Sequence, residues 1–137
     1  LTKLGFDAPL TCLDQFKKVK FEEEPYLVIV CSTTGNGDAP ENAESYVRFV
    51  KRKSQPTDLY AKVTYAILGI GDTNYDNYQY IPRLVDTCLK RMGGKPLIPR
   101  GEADEETGLE NTVEPWIVSL CDALEAVRAS GGLGGGE

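Results

Sequence analysis

An α/β fold, with helices on both faces of a doubly wound, mostly parallel sheet, is what this sequence predicts. Three observations predict it. Strand-like apolar runs alternate with helix-like periodic segments along the 137 residues. The strands read as continuous apolar runs, as a parallel sheet covered on both sides requires. Two of them, Val28-Ile29-Val30-Cys31 and Ala66-Ile67-Leu68, stop at polar, glycine-bearing loops, the way buried parallel strands deliver ligand loops to the carboxyl end of a sheet.

The elements follow in order. Pro9-Leu10-Thr11-Cys12-Leu13 reads as a short strand and Lys17 to Glu24 as a charged connection. Tyr26 to Cys31 is a buried strand. Asn42 to Lys53 is predicted helical, because Ala43, Tyr46, Val47 and Val50 share one helical face and Glu41 and Glu44 suit a first turn. Ser54 to Leu59, with Pro56, is a turn. Val63 to Leu68 is the next strand, and Tyr80 to Met92 a helix closed by Gly93-Gly94. Pro96-Leu97-Ile98 is a short strand. Glu110 to Ala129 is the last helix, with Val113, Trp116, Ile117, Leu120 and Leu124 on one stripe. The run from Gly131 to Gly136 reads as a flexible linker or frayed end, so the predicted domain is 1–130 and the tail 131–137.

Composition narrows the function. Apolar residues make up 41% of the chain, enough for a core. The net charge of −6 argues against nucleic acid as a partner, because phosphate binding wants a basic face, and it permits docking to a basic protein surface. With no histidine, histidine-based triads and histidine-ligated zinc are excluded. Cys12, Cys31, Cys88 and Cys121 are far apart, with no CxxC pair, and read as reduced thiols of a cytoplasmic protein. No apolar run approaches the roughly 20 residues that span a bilayer.

The chemistry sits in two loops. In the first, Ser32, Thr33, Thr34, Gly35, Asn36, Gly37 and Asp38, the glycines let backbone groups approach a ligand closely; an ordinary strand-to-helix turn capped by Asp38 is the plain alternative. In the second, Gly69-Ile70-Gly71-Asp72 is not a dinucleotide fingerprint, since no third glycine follows in place. Tyr75, Tyr78 and Tyr80, among Asn74, Asp76, Asn77 and Gln79, cannot all be core, and suggest stacking on a planar ligand or a partner. Glu102, Asp104, Glu105 and Glu106 form an acidic run, a solvated face or a docking patch.

Taken together, Ser32-Thr33-Thr34-Gly35-Asn36-Gly37-Asp38, Leu68-Gly69-Ile70-Gly71-Asp72 with Tyr75, Gly101-Glu102-Ala103-Asp104 and Val113-Glu114-Pro115-Trp116 resemble the flavodoxin-like FMN domain of diflavin reductases, nearest to the methionine synthase reductases. The likeness runs from about Gly5 to Leu124, in order and with family-like spacing. It implies a sheet of order 2-1-3-4-5. It implies that the backbone of Thr33 to Gly37 lines one edge of the flavin ring, with the Gly35 carbonyl facing flavin N5. Tyr75 would stack on the outer ring face. Gly69, Gly71, Asp72 and Asn74, with Tyr78 beside them, would shape the second loop around the pyrimidine edge. Asp104 matches an acidic residue near the flavin that is associated with electron transfer.

Two departures stand out. Several relatives carry an aromatic residue where this chain has Thr34; threonine cannot stack, which predicts weaker flavin binding there, although methionine synthase reductases share the threonine. The family also opens with a strand, a phosphate loop and a helix that nothing here matches, so the chain is expected to be part of a longer protein in which these precede Leu1. The expected function is single-electron transfer from an FAD/NADPH reductase domain of the same chain to an acceptor protein, such as methionine synthase, that docks near the flavin edge and Glu102 to Glu106. Two alternatives stand beside it: a free-standing flavodoxin or other diflavin reductase serving a haem or iron-sulfur acceptor, and a flavodoxin-like interaction domain without flavin.

Overall fold

Tyr26–Ser32 forms strand β1 and Thr64–Gly71 forms β2, paired in parallel from Tyr26 opposite Thr64 to Ser32 opposite Ile70. The structure, a computed structural model, describes residues 13–16, 20–33, 37–75 and 77–129. Two short strands share the other edge of β2: β3, Lys95–Pro96, pairs with Thr64 and Tyr65, and β4, Gly101–Asp104, pairs with Leu68 to Gly71. All pairings are parallel. Between β3 and β4 the chain takes five steps, from Pro96 to Gly101, while β2 takes three, from Tyr65 to Leu68. Two extra residues therefore bulge out of the edge strand.

Two helices supply crossovers between strands and a third follows the last strand. Helix α1 spans Glu44–Lys51, α2 Tyr80–Arg91 and α3 Glu110–Ala129. Helices α1 and α2 cover one face, where Tyr46 and Val50 of α1 and Val85 and Leu89 of α2 pack with Ile29 and Cys31 of β1 and Tyr65 and Ile67 of β2. On the other face, Trp116, Leu120 and Leu124 of α3 pack with Ala66, Leu68 and Ala103. The α/β alternation and the parallel sheet are as the sequence predicts.

Several boundaries differ, each for a physical reason. Leu13 stands in a 3-10 turn, Leu13–Gln15, instead of a strand; the rest of that expected strand, and the Gly-rich tail, lie outside the described residues. The charged connection contains a 3-10 turn, Phe21–Glu23, anchored by buried Phe21. A further 3-10 turn, Glu41–Ala43, takes the place of the first turn of the expected helix, and α1 stops at Lys51. Strand β2 runs three residues past Leu68, so Gly69 and Gly71 are strand residues and not loop residues. The expected strand at Pro96 to Ile98 is Lys95–Pro96, and the start of the acidic run is in β4, because β2's extra length gives it a partner. Strand β1 is not buried throughout: Val28 and Val30 point to a side that α3 does not cover and are exposed. On α3, Ile117 is also exposed although its position falls on the apolar stripe. Cys31, Cys88 and Cys121 are free thiols, and burial pushes Cys31 up to about 12.

Helix α2 ends as Gly93-Gly94 predicts. Gly93 has φ +93°, and Gly94 N–H donates to the Leu89 carbonyl at 2.8 Å, closing the last turn. Buried Asp86 on the same helix accepts from the Tyr65 hydroxyl at 2.5 Å and pairs with Arg100 of the bulge and Lys90. The buried carboxylate is thus paired and hydrogen-bonded, as burial demands. No helix among the described residues is long and apolar enough to cross a membrane.

Candidate functional site

Because β1 and β2 pair in register, their carboxyl ends deliver both loops to one place. After Ser32, the Thr33 hydroxyl oxygen accepts from Ile81 N–H at 2.9 Å and ties the end of β1 to the first turn of α2. Thr34, Gly35 and Asn36 lie outside the described residues. Gly37 has φ +97°, and a Cβ there would meet the Asn77 side chain at 3.2 Å, so the two loops touch.

The second loop is held by the acidic segment. Asp72 Oδ1 accepts from Asn74 N–H at 2.8 Å, which turns the chain out of β2. Asp104, at the end of β4, accepts from Thr73 N–H at 3.0 Å, the Thr73 hydroxyl at 2.9 Å and Glu106 N–H at 3.0 Å. The Asn74 amide donates to Glu106. Glu102 accepts from Arg83 at 2.6 and 2.8 Å and from Arg100 at 3.1 Å. Arg83 in turn lies 5.6 Å from the centre of the Tyr78 ring. Asp104 and Glu106 therefore fix the second loop to the sheet, and Glu102 ties β4 to α2, while Glu105 and Glu106 remain exposed.

A cavity of about 380 Å³ opens between the loops, lined by Ser32, Thr33, Gly71, Asp72, Tyr75 and Tyr78 from the sequence-predicted set and by Ile70, Asn77, Gln79 and Glu105 besides. Tyr75 stands at its rim, 64% exposed. Gly37, Gly69, Asn74 and Asp104 do not line it: Gly37 sits against Asn77, Gly69 is buried below, and the other two support the loop from outside. Of the residues not predicted, Asn77 and Gln79 share a local signature, φ of 62° and 60°. Asparagine tolerates that conformation and could have been suspected on that ground. Glutamine carries no such signal.

Charge at the site is set locally. Arg83 holds the Glu102 carboxyl below the usual carboxylate range, against burial, with Arg100 adding to it. Burial raises the Asp104 carboxyl, but its Thr73 and Glu106 donors outweigh that and leave it lowered. Burial also raises the Tyr78 hydroxyl. The cavity's described lining contains two carboxylates and no basic side chain. Two carboxylates disfavour an anion, so such a wall suits a neutral planar ring with polar edges better than a phosphate.

The flavodoxin family profile matches residues 1–116. The chain belongs to the flavodoxin family. That membership implies FMN, and the cavity fits its ring: the loops leave a slot at the carboxyl end of the sheet, with an exposed tyrosine face at the rim. The chain is 44% identical to a methionine synthase reductase of Caenorhabditis elegans, over 83% of this chain and 17% of that one. It is 38% identical to the methionine synthase reductase of Homo sapiens, over 88% and 17%. It is 34% identical to NADPH-dependent diflavin oxidoreductase 1 of Bos taurus, over 82% and 19%. The chain thus spans under a fifth of the length of these curated relatives. Among solved structures, a cysteine mutant of the flavodoxin from Pseudomonas aeruginosa shares the fold with a TM-score of 0.68, at 22% identity, over 90% of this chain and 83% of that one.

Proposed function

We propose that this chain is the FMN-carrying module of a diflavin reductase and works as a single-electron carrier. The observation that carries the reading is the slot between two polar loops, with Tyr75 at its rim, in a chain of the flavodoxin family. When bound, FMN supplies a ring that can take up and release electrons one at a time, which protein side chains do not do. The chain's own residues bind and tune. Tyr75 covers the outer ring face. Ser32 and Thr33 would border one edge; by the family resemblance Thr34, Gly35, Asn36 and Gly37 would belong to the same edge, with the Gly35 carbonyl toward flavin N5. Gly71, Asp72 and Tyr78 border the other edge, with Gly69, Asn74 and Asp104 behind them. Asp72 and Glu105 disfavour added negative charge on the ring.

The electron source is an FAD/NADPH reductase domain of the same full-length protein, and the acceptor is methionine synthase, as the names of the relatives suggest. Residues 1–130 form the module and 131–137 the hinge by which it swings between them, in the cytoplasm. The acceptor docks at the exposed rim, near Tyr75 and the acidic segment Glu102 to Glu106.

Titrating FMN with the full-length protein tests the reading. Flavin fluorescence is expected to fall at micromolar protein, and an unquenched signal would end it. Tyr75→Ala is expected to weaken FMN binding by about 1–3 kcal/mol, by analogy with base–aromatic stacking. Unchanged affinity in that variant would remove Tyr75 from the ring.

A further inference from the structure

Gln79 joins two strands, one helix and the second loop. Its side chain is fully buried, at 0% exposure. Its Nε2 donates to the Gly69 carbonyl of β2 at 3.2 Å and to the Ala103 carbonyl of β4 at 3.1 Å. Carbonyls only accept, so the nitrogen of the amide must face them, and the orientation of the side chain follows. The Oε1 atom is then turned inward, buried and without a hydrogen-bond partner among the described residues. The backbone of Gln79 is left-handed, φ 60° and ψ 20°, at the residue that precedes α2.

Two costs meet at one residue: a left-handed backbone without glycine and an orphaned buried oxygen. Strain of this kind persists where the surroundings over-determine it, and it concentrates at ligand clamps. The surroundings here bear the mark of the side chain. A Cβ on Gly69 would lie 1.9 Å from Gln79 Oε1, and a Cβ on Gly71 would lie 3.0 Å from Nε2 and 3.2 Å from the Tyr78 ring. Gly69 and Gly71 are small because Gln79 and Tyr78 occupy the space beside them. Gly69 does not line the cavity, whereas Gln79 does.

We infer that Gln79 is a positioning residue of this site: by bridging the carboxyl ends of β2 and β4 in a left-handed conformation, it sets the floor of the slot and aims Tyr78 inward and Tyr80 outward. The inference rests on the FMN reading and deepens it. Tyr78 is half-buried against Gly71, and Tyr80, one residue beyond Gln79, is 46% exposed. The geometry ties Gly69 to an internal amide, whereas Gly71 both makes room for Gln79 and Tyr78 and lines the slot.

The test uses the full-length protein and FMN itself. Gln79→Met keeps the length and removes both donors. Its FMN dissociation constant is expected to rise about tenfold, as loss of an outer-shell support does at metal sites, in a domain whose circular dichroism remains that of the folded protein. Gln79→Glu supplies a readout that a merely structural role would not move. Its carboxylate cannot donate to the two carbonyls, whereas the protonated acid can donate to one. FMN affinity relative to wild type should therefore be higher near pH 5.5 than near pH 8, the carboxyl being pushed up by burial and by the facing carbonyls. A folded Met variant with wild-type FMN affinity overturns the role of Gln79. If the Met variant does not fold, a pH-independent affinity ratio in the Glu variant overturns it. Wild-type protein that binds no FMN overturns the functional reading itself, and this inference with it.

Discussion

On the face of the sheet that carries α1 and α2, Val50, Val85, Leu89 and Met92 are all 0% exposed. On the face that carries α3, Val28 and Val30 of β1 are 39% and 57% exposed, and Ile117 and Val118 of α3 are 46% and 59% exposed. The same strand contributes to both: Ile29 and Cys31 are buried while their neighbours are not. Helix α3 packs on β2 and β4, and of β1 it leaves Val28 and Val30 uncovered, while Tyr26 packs against its cluster. Among the described residues β1 pairs with β2 alone. An edge strand open to water on one face reads apolar and polar by turns. Strand β1 is apolar on both faces, which is the composition of a strand with cover on both sides. The contrast teaches that apolar composition records what a strand is built to meet, and exposure records what it meets here.

Substitutions can break or sharpen this contrast. The largest effect is expected from Leu89→Ala on the closed face, about 2–5 kcal/mol of stability, because nothing there can relax into the space; urea unfolding measures it. Next is Tyr46→Phe. The Tyr46 and Tyr60 hydroxyls bond each other at 2.7 Å in the same core, and losing one strands the other at a cost of about 1–3 kcal/mol. A smaller effect belongs to neither face but to the carboxyl end between them. Glu102 and Asp104 have lowered carboxyl pKa values in the fold. The stability they contribute is therefore complete above the ordinary carboxylate range, around pH 4, and is lost as pH falls through their lowered values. Glu102→Gln should accordingly flatten the acid limb of a stability–pH curve and leave the neutral region's slope unchanged. The smallest effect is expected from Val30→Thr on the open face, within about 0.5 kcal/mol. A loss as large as that of Leu89→Ala would mean that the open face is covered in the protein measured.

The legible parts were those set by local pattern. Alternating elements gave the parallel α/β architecture, Gly93-Gly94 marked the end of α2, and the polar residues after Cys31 and Leu68 marked the two ligand-end loops. Long-range pairing was not legible. That Gly69 and Gly71 belong to a strand depends on β4 lying alongside, more than 30 residues away. The acidic run read as a surface patch because its partners, Thr73, Asn74, Arg83 and Arg100, come from other elements as well as its own. Gln79 was passed over for the same reason: its importance lies in two distant carbonyls and two glycines, none of which its own neighbours in sequence reveal.

The two-residue bulge between β3 and β4 carries a constraint of parity. Side chains alternate along a strand, so an even number of extra residues returns the chain to its original phase, and an odd number would not. With two, Ala103 still meets Leu68 and Trp116 in the core, and Asp104 and Glu102 still reach the second loop and α2. Shortening the segment Leu97 to Arg100 by two residues could close the strand into one piece with the same faces. Shortening it by one would turn Ala103 outward and bring Glu102 and Asp104 into the core. Chain length here is free in steps of two and forbidden in steps of one.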